Sequence, residues 1–323
     1  MRYKVGISFL LICFFLTSLQ AQEKNYTIDI PGTEFSINMI RIPAGKFQMG
    51  TADDASLRNN NEHQSTSIAM KAFGMSATEI TYDQFLAFRE REYDTSETKN
   101  NNSYNADAAT RPSPPYLDFT YGMGNRGGFP AVSMTQQAAL RYCEWLYDKT
   151  GVFFRLPTEA EWEYACRAGS KTAFYYGDDV DELDDYAWNY DNSGEKYHKV
   201  GEKEPNGWGL YDMLGNVAEY TLDQYQFDFA TKMDPSKAHE SQTALKGKYR
   251  RTVKGGAYDD SPEDCRCAYR IASNPAWQSR DPQIPKSIWW NPDSPFVGFR
   301  IIQPKGEWTE ETVRAFFKKV IVD

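Results

Sequence analysis

Residues 155–169 read RLPTEAEWEYACRAG. Thr158 followed three positions later by Glu161 is a capping-box pair, in which a hydroxyl and a carboxylate each accept from a backbone N–H that the first helical turn leaves unpaired. The pair predicts a helix that buries Trp162, Ala165 and Cys166 and stops at Gly169, where positive φ costs little. Two more start signals lie upstream. Thr81 with Gln84 precedes Phe85 and Phe88, and Ser133 with Gln136 precedes Ala139, Tyr142, Cys143 and Leu146 at helical spacing. A last helix is predicted after Thr309: Glu310 and Glu311 suit its first turn, and Val313, Phe316, Phe317, Val320 and Ile321 make an amphipathic stripe for packing on the same domain. Between residues 175 and 299, Gly, Asn, Asp and Pro recur every few positions, which predicts short strands and long loops. The fold class is therefore α+β, poor in regular secondary structure. Loops of that length inside a compact domain need local staples, such as ions or side-chain networks.

The N-terminus points to a compartment. Arg2 and Lys4 precede an apolar run that ends near Leu19, and the small residue Ala21 is followed by polar Gln22, Glu23 and Lys24. This is the layout of a secretory signal covering residues 1–21, and the apolar run is shorter than the roughly 20 residues a membrane span needs. Cys13 sits mid-run behind bulky Ile12 and does not suit lipidation. Export to the periplasm or outside the cell is expected, with no membrane span in the mature chain. The 323 residues carry a net charge of −9, and losing Arg2 and Lys4 makes the balance more negative by two. With no basic patch, nucleic acid is excluded as a partner. Cys143, Cys166, Cys265 and Cys267 remain after export, where oxidation permits pairing. Residues 93–109 are polar and Asn-rich and predict a surface loop.

Six segments occur in an order that identifies a family. Residues 39–50 (MIRIPAGKFQMG), 79–81 (EIT), 155–169, 206–220 (NGWGLYDMLGNVAEY), 255–256 (GG) and 297–300 (VGFR) resemble the formylglycine-generating-enzyme, or sulfatase-modifying-factor, family. The resemblance implies a single domain over residues 35–303 with a variant C-type-lectin-like fold. Residues 22–34 are then a lead-in and 304–323 the terminal helix.

That family's oxidase converts a sulfatase cysteine to formylglycine and holds copper between two cysteines, soft thiolate ligands that select Cu(I). Counted from Gly255 and Gly256, its serine position is Ala257 and its first copper cysteine is Asp260. Cys265 matches the second by that count, whereas aligning on residues 267–270 (CAYR) deletes it. Ala218 stands where the oxidase has a tryptophan. The resemblance thus implies neither copper nor the oxidase reaction. It does imply calcium: Asp212 and Glu219 as carboxylate ligands, with Gly215 and Val217 supplying carbonyls, an all-oxygen set suited to a hard cation. A second family site would begin with Asn189 and the Tyr190 carbonyl, without a match for its other ligands in residues 191–198. The resemblance also implies a Cys166–Cys267 disulfide, with Cys265 the competing partner and Cys143 a buried thiol.

Other residues are less distinctive. His63, His198 and His239 are scattered without ligand spacing and read as solvated. Asp259, Asp260, Glu263 and Asp264 form an acidic run, suited to a solvated turn or, if two members are forced together, to acid–base work. Trp162, Tyr164, Trp208 and Tyr211 read as core aromatics, and Arg155 and Arg300 as structural ion-pair or carbonyl-binding groups. Trp289 and Trp290, in the Pro-containing stretch 281–290, either bury in the domain or offer an aromatic contact surface. The leading functional expectation is a binding or scaffold protein of the cell envelope, with a protein or glycan partner. An enzyme of unassigned, non-copper chemistry and a lectin-like carbohydrate binder are the alternatives.

Overall fold

The computed structural model describes residues 24–52, 55–62, 64, 67–90, 111–241 and 245–321. The expected signal segment and the expected loop at 93–109 lie outside them. One antiparallel sheet has the order β1–β2–β5–β10, from Tyr26–Asp29, Ser36–Ile42, Phe73–Ser76 and Ile302–Pro304. β3 (Gly45–Gln48) and β4 (Ser67–Met70) form a separate hairpin. The second sheet, β8–β7–β6–β9, uses Ala218–Gln224 (β6), Arg251–Lys254 (β7), Arg270–Ala272 (β8) and Val297–Gly298 (β9). Its only described parallel pairing is β6 with β9. Strand β10 lies far along the chain yet pairs with β5, so the fold closes on itself as one unit.

The helices are α1 (Tyr82–Arg89), α2 (Gln136–Thr150), α3 (Glu159–Arg167), the one-turn α4 (Phe229–Lys232) and α5 (Glu310–Val320). Capping boxes form at Thr81/Gln84 and Thr158/Glu161. A third, Thr309/Thr312, opens α5. The start expected at Ser133 is corrected. Thr135 caps α2 through the Ala138 N–H, while Ser133 has φ of 60° and donates its hydroxyl to the Phe119 carbonyl. α5 buries Val313, Phe317 and Val320 and meets the domain through Phe153, whose ring lies 5.8 Å from that of Phe317.

Helix α3 is buried along its whole length although it carries three glutamates. At 3.6 residues per turn, positions two apart point roughly 200° from one another, so Glu161 faces away from Glu159 and Glu163. Each meets a cation. Glu159 is bidentate with Arg270 at 2.6 and 2.9 Å, and Glu161 with Arg155 at 2.7 and 2.9 Å. Glu163 binds Arg167 at 2.9 Å and the fully buried Lys254 at 3.1 Å.

Glu161→Gln leaves the Arg155 guanidinium buried with half of its pairing, and should cost about 3–5 kcal/mol in urea unfolding. Burial pushes the Glu161 carboxyl upward, but Arg155 and His239 outweigh it and hold it down to about 2. Because the folded value lies below the unfolded one of roughly 4.3, this stabilisation is complete above the unfolded value and is lost as pH falls through about 2. The variant should lack that part of the acid dependence of melting. Identical acid slopes would contradict the assignment.

Candidate functional site

The turn leading into β6 is held in an unusual backbone conformation. Asp212, Gly215 and Asn216 all have positive φ, at 52°, 67° and 53°. A Cβ on Gly215 would come within 2.1 Å of the Trp188 carbonyl oxygen, so only glycine fits there. Asn216 fixes the turn from inside: its Oδ1 accepts from the His198 N–H at 2.9 Å, and its amide donates to Glu79 Oε1 at 3.0 Å. Among the described residues no donor reaches the Gly215 or Val217 carbonyl.

Three buried carboxylates gather around this turn, and one guanidinium serves them. Glu219 takes Arg300 on both oxygens at 2.6 Å and also accepts from Trp162 Nε1 at 2.7 Å. Asp212 Oδ2 accepts from the Gly201 N–H at 2.6 Å. The Glu79 carboxyl lies against that of Asp212, and its Oε2 is buried with no donor among the described residues. Burial, reinforced by the charges of Asp212 and Glu219, pushes the Glu79 carboxyl well up. Burial likewise pushes Asp212 up to about 6.

The fit to calcium follows from these oxygens. A buried excess of two negative charges, an orphaned carboxylate oxygen and two free carbonyls fit a hard divalent cation. Glu219 would have to be shared with Arg300. Among the described residues no three carboxylate, thiol or imidazole side chains converge to bind a metal unaided, so the turn carbonyls are indispensable to such a site. The second expected site fits poorly. Asn189 is buried with its oxygen already accepting from the Asp191 N–H, and its amide nitrogen has no partner among the described residues. Tyr190 is exposed.

Ala257, Asp260 and Cys265 come together, while Ala218 is buried at the start of β6. The Asp260 carboxylate accepts from the Ala257 N–H at 2.9 Å, and Cys265 Sγ donates to the Ala257 carbonyl at 3.7 Å. A Cβ on Gly256, which has φ of 72°, would lie 2.9 Å from the Asp264 carbonyl and 3.1 Å from Cys265 Sγ. Burial and the charges of Asp260, Asp264 and Asp259 push the Cys265 thiol well up. Burial and Asp259 push Asp260 up to about 7.

The four cysteines among the described residues, Cys143, Cys166, Cys265 and Cys267, are free thiols. Cys166 and Cys267 nevertheless face each other, and after burial the Cys267 thiol is the next cause raising that of Cys166. The bond expected between them is not formed here. Cys143 is buried on α2 and its thiol is pushed up by desolvation.

Two other expectations are corrected. Trp289 and Trp290 are only 2% and 3% exposed. Trp289 packs edge-on to Phe88 and Trp290 to Phe85, and Trp290 Nε1 donates to the Ser113 carbonyl, so neither is a contact surface. The described histidines are engaged rather than simply solvated. His198 stacks on Trp188 at 3.7 Å, and His239 bridges Glu161 and the Lys71 N–H. His63 lies outside the described residues. Sequence reading gave Glu79 no role, because it is 137 positions from Asn216 and only folding joins them.

The "Sulfatase-modifying factor enzyme 1-like domain" family profile matches residues 32–282. The chain is 27% identical over 298 residues to the Bos taurus formylglycine-generating enzyme, covering 79% of this chain and 76% of that one. It is 27% identical over 279 residues to the Bos taurus inactive C-alpha-formylglycine-generating enzyme 2, covering 75% and 90%. It is also 29% identical over 243 residues to the Chlamydia caviae serine/threonine-protein kinase pkn1, covering 73% of this chain but spanning only 35% of the kinase. PvdO from Pseudomonas aeruginosa has the same fold, with a TM-score of 0.63 at 24% identity, covering 88% of this chain and 100% of that one. The chain belongs to the sulfatase-modifying factor enzyme 1-like family.

Proposed function

We propose that this chain is an exported binding protein on the sulfatase-modifying factor scaffold, without formylglycine-forming oxidation, that engages a protein or glycan of the cell envelope. The observation carrying this reading is the surroundings of Cys265. A thiol that is to hold Cu(I) must ionise, and lowered thiol pKa values arise beside cations or helix N-termini. Cys265 instead has carboxylates around it, and Asp260 takes the place of the family's other copper cysteine. A bovine relative that bears the name "inactive" is consistent with loss of the reaction on this scaffold. Export rests on the charged, apolar and small-residue pattern of residues 1–21.

The oxidation test is direct. A cysteine peptide of the sulfatase type, incubated with the protein and copper, should show no formylglycine by mass spectrometry beyond a no-enzyme control. Product above that control would refute the reading.

We propose further that the Asp212–Glu219 turn binds calcium as a structural ion, with the Gly215 and Val217 carbonyls completing the oxygen set. An ion held only by the native state raises stability by mass action. Added calcium should therefore raise the melting temperature of the wild type, and Asp212→Asn should lose most of that rise. An equal rise in both proteins would remove the turn from consideration.

A further inference from the structure

A cavity of about 490 Å³ opens between the β3–β4 hairpin and the C-terminal end of α3. Among its described lining residues are none from the Asp212–Glu219 turn or from the segment running from Ala257 to Cys265. Its floor is built before any ligand arrives. Arg167 donates to Glu163 at 2.9 Å, to the Thr172 carbonyl at 3.0 Å and to the Gly50 carbonyl at 2.8 Å, and Glu163 accepts in return from the Gly50 N–H at 2.8 Å. One wall is aromatic. The Phe47 and Tyr164 rings lie 5.2 Å apart at 50°, and the Tyr164 hydroxyl is anchored on the Pro43 carbonyl.

The rim contrasts with the rest of the chain. Lys46 and Lys171 are exposed there and make no ion pair among the described residues, in a protein of net charge −9. Asp178, the acid among the described lining residues, already accepts from the Ala173 N–H. Gln48, Ser67 and Thr172 add amide and hydroxyl groups. Ligand sites combine this size, an aromatic wall and a few polar groups. The apolar face of a pyranose ring suits the wall, its hydroxyls suit the amide and hydroxyl groups, and a carboxylate suits two ammonium groups that make no ion pair among the described residues.

We infer that this cavity binds an acidic saccharide, with its ring against the partly exposed Phe47, which the buried Tyr164 ring backs, and its carboxylate at Lys46 and Lys171. The inference supplies a ligand for the binding role proposed above and rests on that reading. The probe is digalacturonate, titrated calorimetrically into the full chain, with maltose and inorganic phosphate as comparisons. Saturable digalacturonate binding is expected, weakened at least about tenfold in a Lys46→Glu, Lys171→Glu variant whose melting temperature is unchanged because both side chains are exposed. Phe47→Ala should weaken it as well, since Phe47 is the partly exposed ring of the wall. Equal binding of maltose or of phosphate, no binding of digalacturonate, or an unaffected lysine variant would each overturn the assignment. Those outcomes leave the wider binding role standing, whereas formylglycine production in the peptide assay would remove the reading beneath it.

Discussion

Three glutamates on a nine-residue helix with no solvent-facing side are the constraint to which the rest of the molecule answers. A carboxylate cannot stay ionised in such a place unless a cation is held beside it with good geometry. The partners come from everywhere in the chain. Arg155 precedes the helix, Arg167 ends it, Lys254 lies on β7 and Arg270 on β8. Trp162 extends the network to Glu219 and, through it, to Arg300 beside β9. In a fold with few long ladders, charge pairing thus does much of what backbone hydrogen bonding does in a regular sheet. Breaking one pair should cost more than the pair is worth, since it strands the surviving charge.

The same economy explains where functional chemistry can reside. Around α3 acids and bases are matched, so that region is structural. Around the Asp212 turn they are unmatched, with Arg300 the one cation among the described residues that serves Glu79, Asp212 and Glu219. An unmatched buried charge asks for a proton or a cation. At Cys265 the mismatch has the opposite consequence, because burial, reinforced by the surrounding carboxylates, raises the thiol and so disfavours the thiolate a soft metal needs. Two sites built from acidic residues thereby favour different occupants.

Legibility in the sequence followed the range of the interactions. The caps at Thr81 and Thr158 were readable because both partners lie within four residues, and the stripe of α5 because its period is local. The start read at Ser133 was two residues early: the Ser133 hydroxyl is taken up by the distant Phe119 carbonyl, and Thr135 caps the helix instead. Trp289 and Trp290 looked available in a Pro-containing loop, yet that stretch folds onto the aromatic rings of α1. Glu79 and His239 gained their roles from partners on remote segments, for which no spacing rule exists.

The central claim is that the family scaffold persists here while its copper chemistry does not. Copper retained per chain measures this most directly. Protein recovered from an oxidising compartment, reduced, loaded with Cu(I) and desalted should keep far less than one copper per chain by elemental analysis. One tightly held copper per chain, lost on Cys265→Ser, would contradict the account.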